Sequence, residues 1–333
     1  MENDQRKKIS VIIPAFNSAR FIDTAIDSVV CQKINNLEII VIDDGSTDTT
    51  ATVIKKYVDL GLVRYVYQVN SGPGAARNRG LDSVDGEYVC FLDADDTLLP
   101  GSIAKRLDFM QRHPEVGMVF TDLYRCRSKG DDTEVHLRDN GFLKKFEPAI
   151  VKSQPPEYIL NARYVPLAFE HNPFIKTPTV MLRKSIIENV GGFDRSLCAA
   201  EDIDLWLRIA RKFPIGYIDE PLTCWNNYQS TLTADTNRFF KDTIIFYENQ
   251  LNSPETTIFE KKMLRHRLGR LFFDYGYHEI KLGHKFDARR YFLRSLGYRP
   301  FETKAWKNIL LSTLPGSFLT FLRELKNKMV RHG

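Results

Sequence analysis

The sequence predicts an α/β fold, a mostly parallel sheet flanked by helices, followed by a helical C-terminal extension. Two observations lead to this prediction. Short apolar runs rich in β-branched residues alternate with helical patterns over residues 9–92, which is typical of a doubly wound parallel sheet. From about residue 236 the apolar positions recur at helical spacing instead. We therefore expect an α/β domain at 1–235 and a helical region at 236–333.

The elements follow one another in the order that a parallel sheet requires. Strands are predicted at 9–16, 37–42, 63–69, 88–92 and 116–120. Helices are predicted at 21–30 and 49–57, after the Gly-rich stretch 71–80, and early in 101–125. Residues 126–172 have weak periodicity and many charges, so we interpret them as an insertion or loop region near the substrate.

Charge is distributed unevenly along the 333 residues, although the net charge is only +5. Residues 261–333 hold 17 Lys and Arg against 5 Asp and Glu, whereas residues 1–260 have a net charge of −7. A basic segment with interspersed aromatic and aliphatic residues is expected to contact an anionic membrane surface, to pack on the α/β domain, or to do both. No motif typical of nucleic-acid binding is present, so nucleic acid is not an expected partner.

The cysteines and the N-terminal sequence bear on localisation. The five cysteines are widely spaced and form no CxxC pair, so we expect unpaired thiols in a reducing compartment, with Cys31 and Cys90 buried. The N-terminal residues lack the apolar core of a signal peptide, and no apolar run is long enough to span a membrane. These features predict a cytoplasmic protein, with peripheral attachment to the inner face of the plasma membrane if the basic segment binds lipid.

Polar motifs follow four of the predicted strands. They are AFN ending at Asn17, DDGSTD at 43–48, SGPGAARNRG at 71–80 and DADD at 93–96. In open α/β sheets, ligands bind beyond the carboxyl ends of the strands. The sequence therefore predicts one ligand site assembled from these motifs.

The DADD motif places three carboxylates directly after a buried strand. Like charges this close repel one another, and a divalent cation relieves the repulsion. Asp93 and Asp95 are the candidate ligands, whereas Asp96 has no assigned role beyond ordering the turn or capping the next helix. The string DADDT also fits the first motif of haloacid-dehalogenase-type phosphatases, in which Asp93 would be the nucleophile. That family normally opens its chain with this motif, whereas here it comes fourth.

Three further motifs each have a functional and a purely structural interpretation. Asp44 is suited to accept the imino N–H of a pyrimidine base, or the motif is a turn with a helix cap. Gly74 permits close approach to a phosphate, and Arg77 is suited to pair with a diphosphate or a carboxylate. In AAEDIDLW, Asp202 is a candidate general base with Glu201 beside it, or both acids favour the helix N-terminus.

The six motifs in this order, including GGFD and EDIDLWLR, resemble those of a family-2 glycosyltransferase of the GT-A fold over residues 9–235. The resemblance implies an enzyme that moves a sugar from a nucleotide diphosphate, usually UDP, to a hydroxyl with inversion. It implies a donor-binding half at about 1–100 and an acceptor-binding half at 101–235. Mn²⁺ or Mg²⁺ is implied as the cofactor.

The resemblance also assigns roles to individual residues. The implied donor-binding residues are Pro14, Phe16, Asn17, Asp44, Gly74, Arg77, Asp93 and Asp95. Asp95 is expected to bind the metal directly, with Asp93 contacting the ribose or the metal's water shell. Asp202 is expected to take the acceptor's proton with Glu201 beside it, and the loop at 191–193 to lie on the acceptor side.

Two departures from the family pattern matter. Many relatives carry a His after the base motif, where this chain has Asn226 and Asn227. A relative that binds nucleotide sugars without catalysis is therefore an alternative. The QxxRW signature of processive synthases is absent, which favours addition of single hexosyl units. The implied acceptor is a glycan, or a lipid-linked one, in surface polysaccharide biosynthesis.

Overall fold

The computed structural model describes residues 9–126, 134–171, 175–197, 199–226 and 236–313. The chain divides into two compact units, Met1–Asp235 and Thr236–Gly333. In their described residues, the first unit is an α/β domain and the second is helical.

Within the described residues, the first unit contains a mixed sheet of eleven strands. The strands are β1 (Ile9–Ala15), β2 (Leu37–Asp44), β3 (Arg64–Gln68), β4 (Tyr88–Phe91), β5 (Thr97–Leu98), β6 (Met118–Cys126), β7 (Glu134–Val135), β8 (Ile150–Gln154), β9 (Glu157–Leu160), β10 (Val180–Arg183) and β11 (Ile215–Asn226). The order across the sheet is β3-β2-β1-β4-β10-β6-β11-β9-β8, with β5 paired to β11 and β7 paired to β6.

The first four strands form the parallel half that the sequence predicts. β1 lies between β2 and β4 and is parallel to both, and β3 extends the sheet beyond β2. Val11, Ile12 and Ile13 are fully buried, as expected for a strand covered on both faces. Because these strands are parallel, the motifs that follow β1, β2 and β4 emerge at the same edge of the sheet.

The other half of the sheet is mixed, so the parallel order does not continue. β10 is antiparallel to both of its neighbours, β4 and β6. β11 is parallel to β6 but antiparallel to β9. The α/β class is confirmed, and the parallel arrangement is confined to β1–β4 and to the β6–β11 pair.

The helices of the first unit cover the sheet and complete its connections. They are α1 (Ile22–Val30), α2 (Thr50–Asp59), α3 (Pro73–Leu81), α4 (Ser102–Arg112), α5 (His136–Asp139), α6 (Phe142–Phe146), α7 (Tyr164–His171), α8 (Lys184–Val190) and α9 (Glu201–Lys212). α3 begins earlier than predicted, because the Gly-rich stretch forms its first turn. A Cβ on Gly80 would lie 2.4 Å from the Cγ2 of Ile12, so a glycine here allows α3 to lie close to β1.

Residues 126–172 are predicted to be an insertion or a loop region, and the loop alternative is wrong for their described part. Residues 134–171 contain β7, α5, α6, β8, β9 and α7. The buried carboxylate of Asp122 accepts hydrogen bonds from the backbone N–H groups of Leu137 and Arg138, both at 2.8 Å. Because each element is short and its packing partners are distant in sequence, periodicity does not reveal it.

The second unit is helical throughout its described part. It comprises α10 (Thr236–Asn252), α11 (Ile258–Lys281), α12 (Lys285–Tyr298) and α13 (Thr303–Thr313). Thr257 and Glu260 form a capping box at the start of α11. None of the helices in the described residues combines the length and apolar character needed to cross a bilayer. Residues 314–333, the end of the predicted basic segment, lie outside the described residues.

The cysteines depart from the expectation of unpaired thiols. Cys126 and Cys224 form a disulfide between β6 and β11, although they are 98 residues apart in sequence. Cys90 is a buried free thiol as predicted, whereas Cys31 is exposed. The pairing arises because β6 and β11 are neighbours in the sheet, which cysteine spacing alone does not indicate. Because Cys126 and Cys224 are paired, the expectation of a reducing compartment loses the support that it drew from unpaired thiols.

Candidate active site

The acidic turn after β4 combines strongly negative charge with burial. Asp93 is partly exposed, Asp95 is half-buried and Asp96 is only 1% exposed. Burial, reinforced by the negative charge of Asp93, raises the pKa of Asp95 to about 6. Burial also holds the pKa of Asp96 well above its ordinary range, and the charges of Asp93 and Asp95 act in the same direction. The raised pKa values of Asp95 and Asp96 therefore indicate that the negative charges of this turn are not balanced by nearby positive charge.

Asp96 joins this turn to the end of β11. Its Oδ1 accepts a hydrogen bond from the backbone N–H of Asn226 at 2.9 Å. The side-chain amide of Asn226 donates to the backbone carbonyl of Asp95, also at 2.9 Å. Asp96 thus orders the turn, and Asn226 contributes to the same contact. Asn227 lies outside the described residues.

Arg77 links the acidic turn to the N-terminus of α9. One terminal nitrogen lies 2.7 Å from Asp93 Oδ1 and the other 2.7 Å from Glu201 Oε1. Burial opposes the charge on this guanidinium, but Asp93 and Glu201 together raise the pKa of Arg77 above its ordinary value. The sequence suggests either a diphosphate or a carboxylate as the partner of Arg77, and the structure shows two carboxylate partners. These two contacts use two of the five N–H donors of the guanidinium, so the expected contact with a diphosphate stays a prediction.

The two acids at the start of α9 have different surroundings. Glu201 is buried, and this burial together with the charge of Asp202 raises the pKa of Glu201 to about 7 despite the opposing effect of Arg77. Asp202 is half-buried. Its Oδ2 accepts a hydrogen bond from the hydroxyl of Thr177 at 3.1 Å, and its Oδ1 accepts from the backbone of Ile203 at 2.7 Å. Asp202 is therefore the more accessible of the two acids.

The GGFD loop is attached to α3 by the side chain of Asn78. Its amide nitrogen donates to the carbonyl of Phe193, and its Oδ1 accepts from the N–H of Phe193, both at 2.8 Å. A Cβ on Gly192 would lie 2.3 Å from Asn78 Oδ1, and one on Gly74 would lie 3.3 Å from the Cγ of Glu201. Glycine at both positions thus allows α3, the loop and α9 to pack closely.

A second group of predicted site residues lies at the ends of β1 and β2. The buried carboxylate of Asp44 accepts hydrogen bonds from the Gln68 side chain at 2.7 Å and from the backbones of Ser71 and Gly72 at 2.8 Å. In this structure Asp44 therefore anchors the segment that leads into α3. Protein donors thus use three of the roughly four acceptor positions of this carboxylate, and its contact with a base stays a prediction.

Residues 14–17 complete this second group. Pro14 is half-buried in β1, whereas the Phe16 side chain is 47% exposed. Asn17 has a positive φ of 48° and its Oδ1 accepts a hydrogen bond from the backbone of Thr47 at 2.8 Å. This contact joins the loop after β1 to the loop after β2, with the Phe16 ring facing solvent beside it.

Comparison with known proteins identifies the family. The family model described as glycosyl transferase family 2 matches residues 10–191. The chain belongs to glycosyl transferase family 2. It is 33% identical over 251 residues to an uncharacterised glycosyltransferase of Rickettsia felis, covering 74% of this chain and 38% of that protein. The chain therefore spans little more than a third of that relative's length.

Solved structures support the GT-A fold of this family-2 transferase. TarS of S. aureus, residues 1–349 in complex with UDP-GlcNAc, matches with a TM-score of 0.63 at 18% identity, covering 92% of this chain and 89% of that one. The mannosyltransferase PcManGT of Pyrobaculum calidifontis, in complex with GDP-Man and Mn²⁺, matches with a TM-score of 0.56 at 16% identity. It covers 93% of this chain and 87% of that one. At these identities the similarity concerns the fold.

The donor set of this family-2 transferase suits a metal shared with a substrate. Across the described ranges, no three His, Cys, Asp or Glu side chains are arranged to hold a metal ion by themselves. Mg²⁺ and similar ions are often bound by one or two carboxylates together with water and substrate phosphates. Asp93 and Asp95 provide such a pair, and the raised pKa of Asp95 indicates a site that a cation would stabilise.

Sequence reasoning assigned no site role to four residues that the structure brings to the site. They are Lys176, Thr177, Trp225 and Asn226. Thr177 contacts Asp202, Asn226 contacts the acidic turn, and Lys176 contacts the ring of Trp225. In the sequence they are polar or aromatic residues near β10 and β11, and no spacing rule distinguishes them.

Proposed function

We propose that this transferase is an inverting, metal-dependent enzyme. It moves one hexosyl unit at a time from a nucleotide-diphosphate sugar, of the UDP-sugar class, to a hydroxyl. The acceptor is a glycan or a lipid-linked glycan in surface polysaccharide biosynthesis. The donor is bound by residues of the first hundred, and residues 101–235 bind the acceptor. The complex of TarS with UDP-GlcNAc supports a uridine donor.

One observation carries the proposal, namely the bridge that Arg77 makes between Asp93 and Glu201. Asp93 belongs to the acidic turn, and Glu201 is followed directly by Asp202. The bridge therefore couples the candidate metal ligands to the candidate base through a single buried side chain. Such an arrangement suits a reaction in which the leaving group and the attacking hydroxyl lie on opposite sides of one sugar carbon.

Asp202 is the general base in this proposal. Inversion requires one in-line displacement, in which the acceptor oxygen bonds to the anomeric carbon as the bond to the diphosphate oxygen breaks. The acceptor's proton passes to a carboxylate oxygen of Asp202. Glu201 is less suited to this role, because it is buried and its carboxylate contacts Arg77. Its role is to hold Arg77 beside Asp93.

Asp95, with Asp93 beside it, is the proposed holder of Mn²⁺ or Mg²⁺. When bound, such an ion offsets the negative charge that develops on a departing diphosphate. The complex of PcManGT with GDP-Man and Mn²⁺ supports this assignment by analogy of fold. Pro14, Phe16, Asn17 and Asp44 are the proposed nucleoside contacts, and Gly74 allows the backbone to approach the phosphates.

The second unit supports a proposal of peripheral membrane attachment. On α13, Trp306 and Leu310 lie one turn apart and are 55% and 65% exposed, and Lys304 and Lys307 are exposed beside them. Phe301, just before the helix, is 93% exposed. Aromatic and aliphatic side chains flanked by lysines suit the interface of an anionic bilayer. A lipid-linked acceptor would then be met at the membrane surface.

The test of function begins with binding. Thermal-shift measurements with UDP- and GDP-sugars in Mn²⁺ should identify a donor, and EDTA should abolish the shift. Asp95→Ala is expected to lose the metal-dependent shift. Asp202→Asn should keep donor binding while transfer or donor hydrolysis falls by roughly 10²- to 10⁴-fold. Full activity of Asp202→Asn would exclude it as the base, and Asp59→Asn, an exposed acid on α2, is the matched control.

The two alternatives have less support. A haloacid-dehalogenase-type phosphatase with Asp93 as nucleophile lacks support, because the chain belongs to a transferase family. The phosphatase alternative predicts that phosphate is released without an acceptor and that the release depends on Asp93. A binding protein without catalysis predicts a donor shift with no hydrolysis or transfer in any variant.

A further inference from the structure

A fully buried arginine, Arg106, lies on α4, outside the group of candidate site residues. Within the described residues its hydrogen bonds go to neutral oxygen atoms, and no carboxylate forms an ion pair with it. Burial lowers the pKa of Arg106, and Cys90 acts in the opposite direction. Because a buried charge is costly unless it is hydrogen-bonded, the groups that accept its hydrogen bonds indicate what this arginine serves.

The hydrogen bonds of Arg106 join two segments of the chain. Its Nε donates to the carbonyl of Ser102 at 3.1 Å and its Nη2 to the Ser102 hydroxyl at 2.8 Å, both within α4. Its Nη1 donates to the carbonyls of Pro178 and Val180, at 3.3 and 3.1 Å. The Pro178 carbonyl accepts a further hydrogen bond from the hydroxyl of Thr223 on β11, at 3.3 Å. The segment around Pro178 is therefore held from α4 and from β11.

The segment around Pro178 is a 3₁₀ turn of three residues, which also carries a contact to the candidate base. The hydroxyl of Thr177 donates to Asp202 Oδ2 at 3.1 Å. The turn closes on itself, because the backbone N–H and the hydroxyl of Thr179 both donate to the carbonyl of Lys176, at 3.0 and 2.7 Å. Pro178 adds a fixed φ angle. Holding the Pro178 carbonyl therefore also holds Thr177 in place.

The other end of this link follows the acidic turn along the chain. β5 comes directly after Asp96, and Leu98 of β5 pairs with Thr223 of β11. α4 begins at Ser102, shortly after β5. Arg106 therefore connects the part of the chain that follows the candidate metal ligands with the turn that contacts the candidate base.

We propose that Arg106 is a positioning residue, which orients Asp202 through the turn that carries Thr177. This inference rests on the proposed function, in which Asp202 is the general base. The planar guanidinium donates in fixed directions, so one side chain holds two carbonyls and the first residue of α4 in a single arrangement. Because Arg106 is fully buried, it acts on the position of the base and does not contact the substrate.

Steady-state donor hydrolysis by the full-length protein with Mn²⁺ tests this role. The donor is whichever of UDP-GlcNAc, UDP-glucose, UDP-galactose and GDP-mannose the wild-type protein turns over fastest. Arg106→Met keeps the length of the side chain but removes its donors. We expect kcat to fall about tenfold, because this variant disturbs the same hydrogen bond to Asp202 that Thr177→Val removes. The KM for the donor should stay unchanged. Arg106→Lys, which can still donate to a carbonyl, should lose only about threefold.

A double-mutant cycle shows whether Arg106 acts through Thr177. If it does, combining Arg106→Met with Thr177→Val should also lower kcat about tenfold, because one hydrogen bond can be lost only once, whereas independent effects would multiply to about a hundredfold. Thr223→Val removes the second donor to the Pro178 carbonyl and should lower kcat about threefold. Arg112→Met, at an exposed position of α4, is the matched control and should keep the wild-type kcat.

The outcomes separate this inference from the proposed function. If the wild-type protein hydrolyses none of these donors, or if Asp202→Asn is fully active, the proposed function fails and the inference with it. If Asp202→Asn loses activity while Arg106→Met and Thr223→Val keep the wild-type kcat, only the inference is overturned. Effects that multiply in the double variant, or a donor KM that rises as kcat falls, also overturn it. Thermal unfolding establishes that each variant is folded, and if Arg106→Met is not, Arg106→Lys takes its place in the cycle.

Discussion

At the scale of single residues, the site separates two adjacent carboxylates by their surroundings. Glu201 is buried against Arg77, whereas Asp202 is half-buried and accepts a hydrogen bond from Thr177. Neighbouring acids that differ in burial and partners can serve different purposes at one pH. Here the buried acid orders the site and the accessible acid is proposed to receive the proton.

The buried carboxyl of Glu201 should make folding stability depend on pH. Its pKa is raised to about 7 in the folded protein, so between about pH 4.5 and pH 7 the unfolded chain releases a proton that the folded protein retains. Stability due to this group therefore falls as the pH rises through that window. Glu201→Gln removes the effect, so its free energy of unfolding relative to wild type should rise by on the order of 2 kcal/mol between pH 5 and pH 8.

Chemical denaturation at pH 5 and pH 8 measures this difference for both proteins. Glu188→Gln, which changes an exposed acid on α8, should show no such rise. Equal pH dependence in wild type and Glu201→Gln would contradict the raised pKa.

The hydroxyl of Thr177 should position the proposed base. Thr177→Val keeps the shape of the side chain but removes the donor to Asp202 Oδ2. We expect kcat to fall about tenfold, because the loss of one hydrogen bond to a charged group costs about 1.5 kcal/mol. The KM for the donor should stay unchanged, since Thr177 contacts the base and not the nucleotide site.

Steady-state kinetics of Thr177→Val and Thr177→Ser distinguish positioning from a general loss of structure. Thr177→Ser retains a hydroxyl and should recover most of the activity. If serine and valine variants lose activity equally, the hydrogen bond is not what positions Asp202.

At the scale of elements, the site depends on how closely α3 approaches the GGFD loop and α9. Asn78 on α3 pairs with the backbone of Phe193, and Arg208 on α9 donates to the carbonyl of Gly192 at 2.7 Å. The loop is therefore held from two helices at once. Because Arg77 lies on the same helix as Asn78, displacing the loop should also disturb the ion pairs with Asp93 and Glu201.

Gly192→Ala should disrupt this arrangement. The added Cβ would lie 2.3 Å from Asn78 Oδ1, so the amide must move and its two hydrogen bonds to Phe193 must lengthen. We expect the free energy of unfolding to fall by about 2 kcal/mol and donor turnover to fall with it. Urea denaturation gives the stability, and donor hydrolysis gives the activity.

Gly297→Ala is the matched control for this substitution. Gly297 lies within α12, and a Cβ there would meet nothing within 4 Å. Alanine should stabilise that helix by about 0.5–1 kcal/mol. A Gly192→Ala protein as stable and active as wild type would show that the loop tolerates displacement.

At the scale of the whole molecule, charge separates the chain into an acidic body and a basic C-terminal segment. Residues 261–333 carry 17 Lys and Arg against 5 Asp and Glu. The described part of this segment also exposes Trp306 and Leu310 beside lysines. The combination favours attachment to an anionic surface, in which charge attracts the protein and apolar side chains insert.

Vesicle pelleting tests this attachment. We expect the protein to pellet with phosphatidylglycerol-containing vesicles and to pellet little with phosphatidylcholine vesicles. Raising NaCl from about 50 to about 300 mM should release it, because salt screens the attraction between the lysines and the anionic lipid. The double variant Trp306→Ser and Leu310→Ser should bind several-fold more weakly. Leu60→Ser, which changes a 70% exposed leucine in the first unit, should bind as wild type does. Pelleting that is independent of lipid charge would contradict the proposal.

The sequence by itself determined the α/β class, the four parallel strands and the position of the polar motifs at their ends. These features follow from local patterns, because continuous apolar runs and strand-end polar residues need no knowledge of distant contacts. The sequence also identified Asp93, Asp95, Glu201 and Asp202 as candidates. Their separate roles came from the family resemblance, and the structure adds the different burial and partners of Glu201 and Asp202.

Only the tertiary structure decided which residues meet across long separations. Arg77 and Glu201 are 124 residues apart, Asp96 and Asn226 are 130 apart, and Cys126 and Cys224 are 98 apart. The mixed half of the sheet, the elements within residues 134–171 and the contact of Lys176 with Trp225 likewise depend on non-local packing. Local patterns carry no information about such pairs, because their contacts exist only once β4, β10, β6 and β11 are side by side.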